Sequence, residues 1–196
     1  MPILGTIASS TRQGLSTNSY FSIATFEVTS GGSSFIEFTS IPSTYKHLQL
    51  RAFARGAASV AHITTFITFN SDTGSNYSSG EIYATAQGTI GVGQEVNQTQ
   101  ISYGPFFPAA SQNASIFGFS VIDIPDYADT SRCRTLFGWS GYENNQSTGS
   151  ISWSHILFRN GTWENTSSAI NTIKLAPNTG NWAQYSRFSL YGIKGA

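Results

Sequence analysis

The tetrapeptide Asp72-Thr73-Gly74-Ser75 has the spelling of an aspartic-protease loop, and catalysis is looked for there first. That chemistry needs two carboxylates sharing one proton, supplied by a second loop or a symmetric partner. The chain has no second Asp-Thr-Gly or Asp-Ser-Gly, and Asn70-Ser71 precede Asp72 where the protease loop carries apolar strand residues. The segment reads instead as a turn, with Asp72, Gly74 and Asn76 as its turn formers. His47, His62 and His155 have no partner at metal-ligand spacing and read as ordinary strand histidines. Two groups, Asp123, Asp126 and Asp129, and Asn70, Asp72 and Asn76, collect oxygen ligands, but neither has the spacing of a calcium loop. Cys133, the single cysteine, can form neither an internal disulfide nor a thiolate zinc cage. It has no base beside it in sequence and reads as an idle thiol. Hydrolysis of a polysaccharide would require two carboxylates about 5–10 Å apart, and Glu81, Glu95, Glu143 and Glu164 are too scattered for the sequence to pair any two. The expectation is a protein without catalytic residues, metal or cofactor.

Aromatic side chains offer a second kind of chemistry, the stacking of a sugar ring. Trp139 and Trp153 fall in strand patterns and read as core. Trp163, in Arg159-Asn160-Gly161-Thr162-Trp163, and Trp182, in Thr179-Gly180-Asn181-Trp182, fall in loop-like sequence. With Tyr77 they are the expected glycan-facing aromatics. Phe106 and Phe107 stand between Pro105 and Pro108, and two readings stay open: a loop folded over one end of the domain, or an apolar contact to another subunit. Asn-x-Ser/Thr triplets begin at Asn76, Asn97, Asn113, Asn145, Asn160 and Asn165. In a chain this rich in Asn, Ser and Thr they read as composition.

The elements that must position these residues are strands. Apolar residues recur at spacing two between clusters of Gly, Asn, Asp, Ser and Pro, as in all-β domains. In Lys46–Arg55 the set Leu48, Leu50, Ala52 and Ala54 shares one face, while His47, Gln49 and Arg51 share the other, which is expected to meet solvent or a partner. A phase shift at Phe26 suggests a bulge, and Gly31-Gly32 a tight turn. Further strands are expected at 34–38, 63–69, 81–86, 100–103, 115–124, 134–142, 150–158, 170–175 and 187–193. The 115–124 run is apolar on both parities and is expected to be covered on both faces. A helical turn near 85–92 is opposed by Gly88, Gly91 and Gly93. The expected fold is all-β: an antiparallel two-sheet sandwich, jelly-roll-like, with residues 1–19 as an extended N-terminal arm and 20–196 as one domain.

Composition narrows the function. Of 196 residues, 10% are charged and 14% aromatic, and the formal net charge is zero. So few basic residues leave little footprint for nucleic acid. No apolar run approaches the roughly 18 residues of a membrane helix, and the first residues lack the basic start and apolar stretch of a signal peptide. A surface of hydroxyls and amides suits a protein packed against other proteins or glycans better than a freely diffusing enzyme.

Three segments, Phe38-Thr39-Ser40-Ile41-Pro42-Ser43-Thr44-Tyr45-Lys46-His47-Leu48-Gln49-Leu50-Arg51, Phe69-Asn70-Ser71-Asp72-Thr73-Gly74-Ser75-Asn76-Tyr77 and Phe188-Ser189-Leu190-Tyr191-Gly192-Ile193-Lys194-Gly195, together resemble small virion structural proteins of tailed bacteriophages. The resemblance implies a β-sandwich module displayed on the particle, with no catalytic residues. A single globule with a short arm and no shaft repeat fits a non-enzymatic capsid decoration (cement) protein, on the virion exterior after synthesis in the bacterial cytoplasm. Its expected partners are the major capsid protein and copies of itself in a homotrimer. Ile3, Leu4, Arg12 and Leu15 of the arm, with Phe106 and Phe107, are the expected capsid or inter-subunit contacts. The alternative is a receptor- or glycan-binding module of a tail or head fibre, facing a host-surface glycan. No nucleic acid and no membrane is expected among the partners.

Overall fold

Alternation in β3 (His47–Ala54) sets the architecture. Leu48, Leu50, Ala52 and Ala54 are buried on one side, and Arg51 and Phe53 are exposed on the other. The computed structural model describes residues 19–85, 88–143 and 155–195. Over these it is all-β: β1 (Tyr20–Glu27), β2 (Ile36–Phe38), β3, β4 (His62–Phe69), β5 (Tyr77–Thr85), β6 (Ile90–Gln98), β7 (Phe106–Pro108), β8 (Gly118–Pro125), β9 (Arg134–Tyr142), β10 (His155–Trp163), β11 (Ile173–Pro177) and β12 (Arg187–Ile193). An eight-stranded sheet in the order β1-β12-β3-β8-β9-β10-β5-β6 faces a four-stranded sheet in the order β2-β11-β4-β7. Every ladder is antiparallel. The fold is thus a two-sheet sandwich, jelly-roll-like.

One core fills the space between the sheets. Leu48, Leu50, Ile122, Leu136, Phe188 and Leu190 of the long sheet meet Phe38, Ile63, Ile67, Phe69, Ile173 and Leu175 of the short one. The short sheet covers only part of the long one, because four strands cannot span eight. Phe69 of β4 meets Tyr77 of β5 and Trp163 of β10, and Phe106 of β7 packs on Leu157 and His155 of β10 in a second small cluster, so that it is the β5–β6 edge that projects beyond the short sheet. At the opposite edge β1 pairs with β12, and Tyr20 lies opposite Ile193.

Several expectations are corrected here. The bulge lies between Ser22 and Ala24, not at Phe26. Residues 100–103 form no strand; Ile101 makes a single bridge to Ile67. β6 (Ile90–Gln98) lies where no strand was expected. Its inner positions are Gly91 and Gly93, which hide the alternation of Ile90, Val92 and Val96. β8 is central, yet its outer face is open, with Phe119 and Asp123 exposed. β10 runs on through Arg159 to Trp163, where a loop was expected. Phe106-Phe107-Pro108 is neither an end loop nor an exposed contact but strand β7, with both rings buried inside the chain. Ile3, Leu4, Arg12 and Leu15, with Trp153 and Asn145, lie outside the described residues.

Candidate functional site

The Asp72 turn is structural. Its carboxylate accepts from the Gly74 amide at 2.9 Å, from Asn76 Nδ2 at 2.9 Å and from the Trp163 indole N–H at 2.8 Å. These donors, Asn76 foremost, hold the carboxyl below the ordinary Asp range. Tyr77 and Trp163 stack at 6.3 Å, and the Arg134 guanidinium sits 5.0 Å over the indole. Trp182 packs edge-on to Phe107 and Phe188. All three expected glycan-facing aromatics, Tyr77, Trp163 and Trp182, have no exposed surface. The correction has a simple cause: Tyr77 and Trp163 lie at strand ends and Trp182 in the β11–β12 connection, bridged to Ser33 and Gly56, so their neighbours are polar while the rings themselves turn into the core. Trp139, expected in the core, is instead 47% exposed on the outer face.

The other clusters are also accounted for within the fold. Asp126 pairs with Lys46 at 2.6 Å and Asp129 with Arg132 at 2.9 Å. Asn70 Oδ1 accepts the amides of Asn171 and Thr172. Cys133 is exposed. Among the described residues, no three of His, Cys, Asp and Glu gather as a metal site.

Two surfaces remain as candidates. The first is the outer face of the long sheet. Val92 lies opposite Ile82, Ile82 opposite Phe158, Phe158 opposite Trp139, and Trp139 opposite Val121, forming an apolar row across five strands. A parallel row runs Ile90, Ala84, Ile156, Gly141, Phe119 and Phe53. Phe158 is 63% exposed and Val92 78%. A shallow trough of about 570 Å³ lies along this face, between Phe137 and Phe158 on one side and Val92 and Val96 on the other. Charge is sparse. Arg51 is capped by Tyr20 and Tyr191 at 5.6 and 4.9 Å, and its Nε donates to Gln49, whose amide donates to Asp123. Contiguous exposed apolar surface of this kind makes the face a candidate interaction surface.

The second is a cleft of about 450 Å³ on the inner side, where the long sheet overhangs β7. Arg159 and Glu81, in register on β10 and β5, form its buried ion pair. The guanidinium also donates to Gly104 O and lies between the rings of Tyr103 and Phe106, at 5.7 and 5.4 Å. His62 stands 4.5 Å from Phe106 and 5.8 Å from His155 between ring centroids. Burial, reinforced by His155 and Arg159, lowers the pKa of His62 and favours its neutral form. Tyr142 stacks on His155, and burial raises its hydroxyl pKa to about 12. The rim carries Tyr83, Thr85, Thr89 and Tyr103. Gly91 and Gly93 on β6 make room for the two tyrosines: a Cβ on Gly91 would stand 2.3 Å from Tyr83 Cζ, and one on Gly93 2.8 Å from the Tyr103 hydroxyl. His62, His155, Phe106 and Glu81 were each singled out by type, but nothing in their spacing joined them, because the cleft is assembled from separate segments of the chain.

No family model and no curated protein matches the chain. Among solved structures, one similar chain is SCLam, a non-specific endo-beta-1,3(4)-glucanase from family GH16, with 10% identity, a TM-score of 0.27, and coverage of 90% of this chain and 92% of that one. A likeness at that level carries no argument about what this chain does.

Proposed function

We propose that the chain is a non-enzymatic structural protein of a tailed-phage particle, a decoration (cement) protein that seats on the assembled shell through the outer face of its long sheet. The observation that carries this reading is the pair of apolar rows across that face. An area so poor in charge is stable when a neighbouring protein covers it. The phage resemblance in the Phe38–Arg51, Phe69–Tyr77 and Phe188–Gly195 segments supplies the particle. Attachment to the finished shell alone stabilises it by mass action, since the bound state is favoured over dissociated subunits. A homotrimer, with residues 1–19 gripping the shell or an adjacent copy, belongs to the same reading. The ion pair between Glu81 and Arg159 favours a non-enzymatic role, because it neutralises the most enclosed carboxylate of the cleft.

The test is re-attachment to particles lacking the protein, followed by sedimentation and quantitative mass spectrometry. Wild-type chain is expected at hundreds of copies per particle. Phe158→Thr combined with Trp139→Thr, which replaces the cross-strand aromatic pair by neutral β-branched residues suited to a strand, should remain folded by circular dichroism and fail to co-sediment. Unimpaired attachment of that variant overturns the outer face as the contact, and a stoichiometry of a few copies moves the protein to the tail. Removal of residues 1–18 checks the arm in the same assay.

A further inference from the structure

We propose that the inner cleft is a binding site for an uncharged saccharide, independent of the assembly surface on the opposite side of the same sheet. The argument begins with charge. Arg159 and Glu81 offer donors and acceptors side by side, yet as a bonded pair they sum to zero. A phosphate or carboxylate ligand would find Glu81, and Glu95 on the adjacent strand, in its way. A sugar hydroxyl both donates and accepts, and can address the carboxylate and the guanidinium together.

Shape adds to this. The Tyr83 and Tyr103 rings are laid against β6, where only glycine leaves room for them, at Gly91 and Gly93. That arrangement fixes the Tyr83 ring, with its polar tip, beside the ion pair, while Tyr103, whose ring is covered by the Arg159 guanidinium, contributes its hydroxyl. Aromatic faces bind the C–H face of a pyranose, while the hydroxyls at its edge reach the polar groups. Thr85 and Thr89 add neutral partners at the rim. The cleft volume, about 450 Å³, lies in the range of small-molecule sites, and most of its polar groups are already held in place. A preformed site loses little entropy on binding.

The full chain is to be applied to a microarray of immobilised neutral oligosaccharides and their sialylated counterparts, with the best binder then measured by calorimetry. Binding is expected for neutral glycans, with no gain from sialylation. Tyr83→Ala should weaken it about tenfold, the effect of removing one stacking ring. Phe35→Ser, an exposed aromatic site remote from the cleft, should leave it unchanged. If Tyr83→Ala does not fold, Gly91→Ala, which pushes the Tyr83 ring aside, is expected to weaken binding in the same direction. The proposal is overturned by absence of binding across the array, by preference for the sialylated forms, or by full affinity in the folded Tyr83 or Gly91 variant. Particle attachment plays no part in this readout, so the two proposals fail separately.

Discussion

Asp72 illustrates how a residue with a catalytic spelling can serve the fold. Its carboxylate closes the β4–β5 turn and satisfies the indole N–H of a tryptophan with no exposed surface. Asp72→Ala strands that N–H, and the cost of an unsatisfied buried donor is about 1–3 kcal/mol. Urea denaturation at neutral pH should find a loss in that range. The pKa of Asp72 is depressed in the folded state, so its contribution is present in full above the unfolded Asp value of about 3.9. It declines as pH falls through the lower folded value. The difference between wild type and Asp72→Ala should therefore shrink in acid; a difference independent of pH would mean that the charge plays no part. The turn was readable from the sequence because Asp, Gly and Asn carry their conformational preferences locally. The burial of Tyr77 and Trp163 was not, since it depends on where the ends of β10 and β5 meet the short sheet, and that of Trp182 depends on its bridges to the distant Ser33 and Gly56.

Strands with one buried face and one polar face were the most legible elements. The β3 alternation and the 187–193 and 134–142 segments match the observed strands because burial imposes period two directly on the sequence. β6 escaped because its inner residues are glycines, whose purpose lies in another segment's side chains. Gly192 in β12 belongs to the same class: a Cβ there would stand 2.3 Å from ring atoms of Tyr45, including Cγ, which cannot swing away. Gly192→Ala should cost about 1–3 kcal/mol by overpacking, measured as a drop in the urea midpoint at unchanged m-value. A neutral outcome would show that the β2–β3 connection around Tyr45 yields. The cleft was illegible for a related reason. Arg159, Glu81, His62 and Phe106 are far apart in sequence, and only the pairing of β10 with β5 and of β4 with β7 gathers them.

At the scale of the whole molecule, the unequal sheets leave the long sheet with an open outer face and a cleft on its inner side, to which the two proposals assign separate contacts. In the proposed seating on the shell, contacts through the exposed Val92, Ile82, Phe158 and Trp139 would depend on apolar burial rather than charge. Attachment to the particle is thus expected to survive about 1 M NaCl, where the screening length falls to about 3 Å; release by salt in a co-sedimentation assay would point to an ionic contact instead. The low charge of the sequence acquires its meaning here, since the sparse ionic groups are mostly bound to one another or capped by aromatic rings. The pairing of β1 with β12 has a mechanical consequence. With Tyr20 opposite Ile193, a force pulling those two points apart loads the ladder bonds singly, from one end. The edge would then peel like a zipper at low tension rather than resist as a sheared bundle of bonds. A domain so connected serves poorly as a link in a taut fibre and well as a pendant hung from one corner, carrying little load itself.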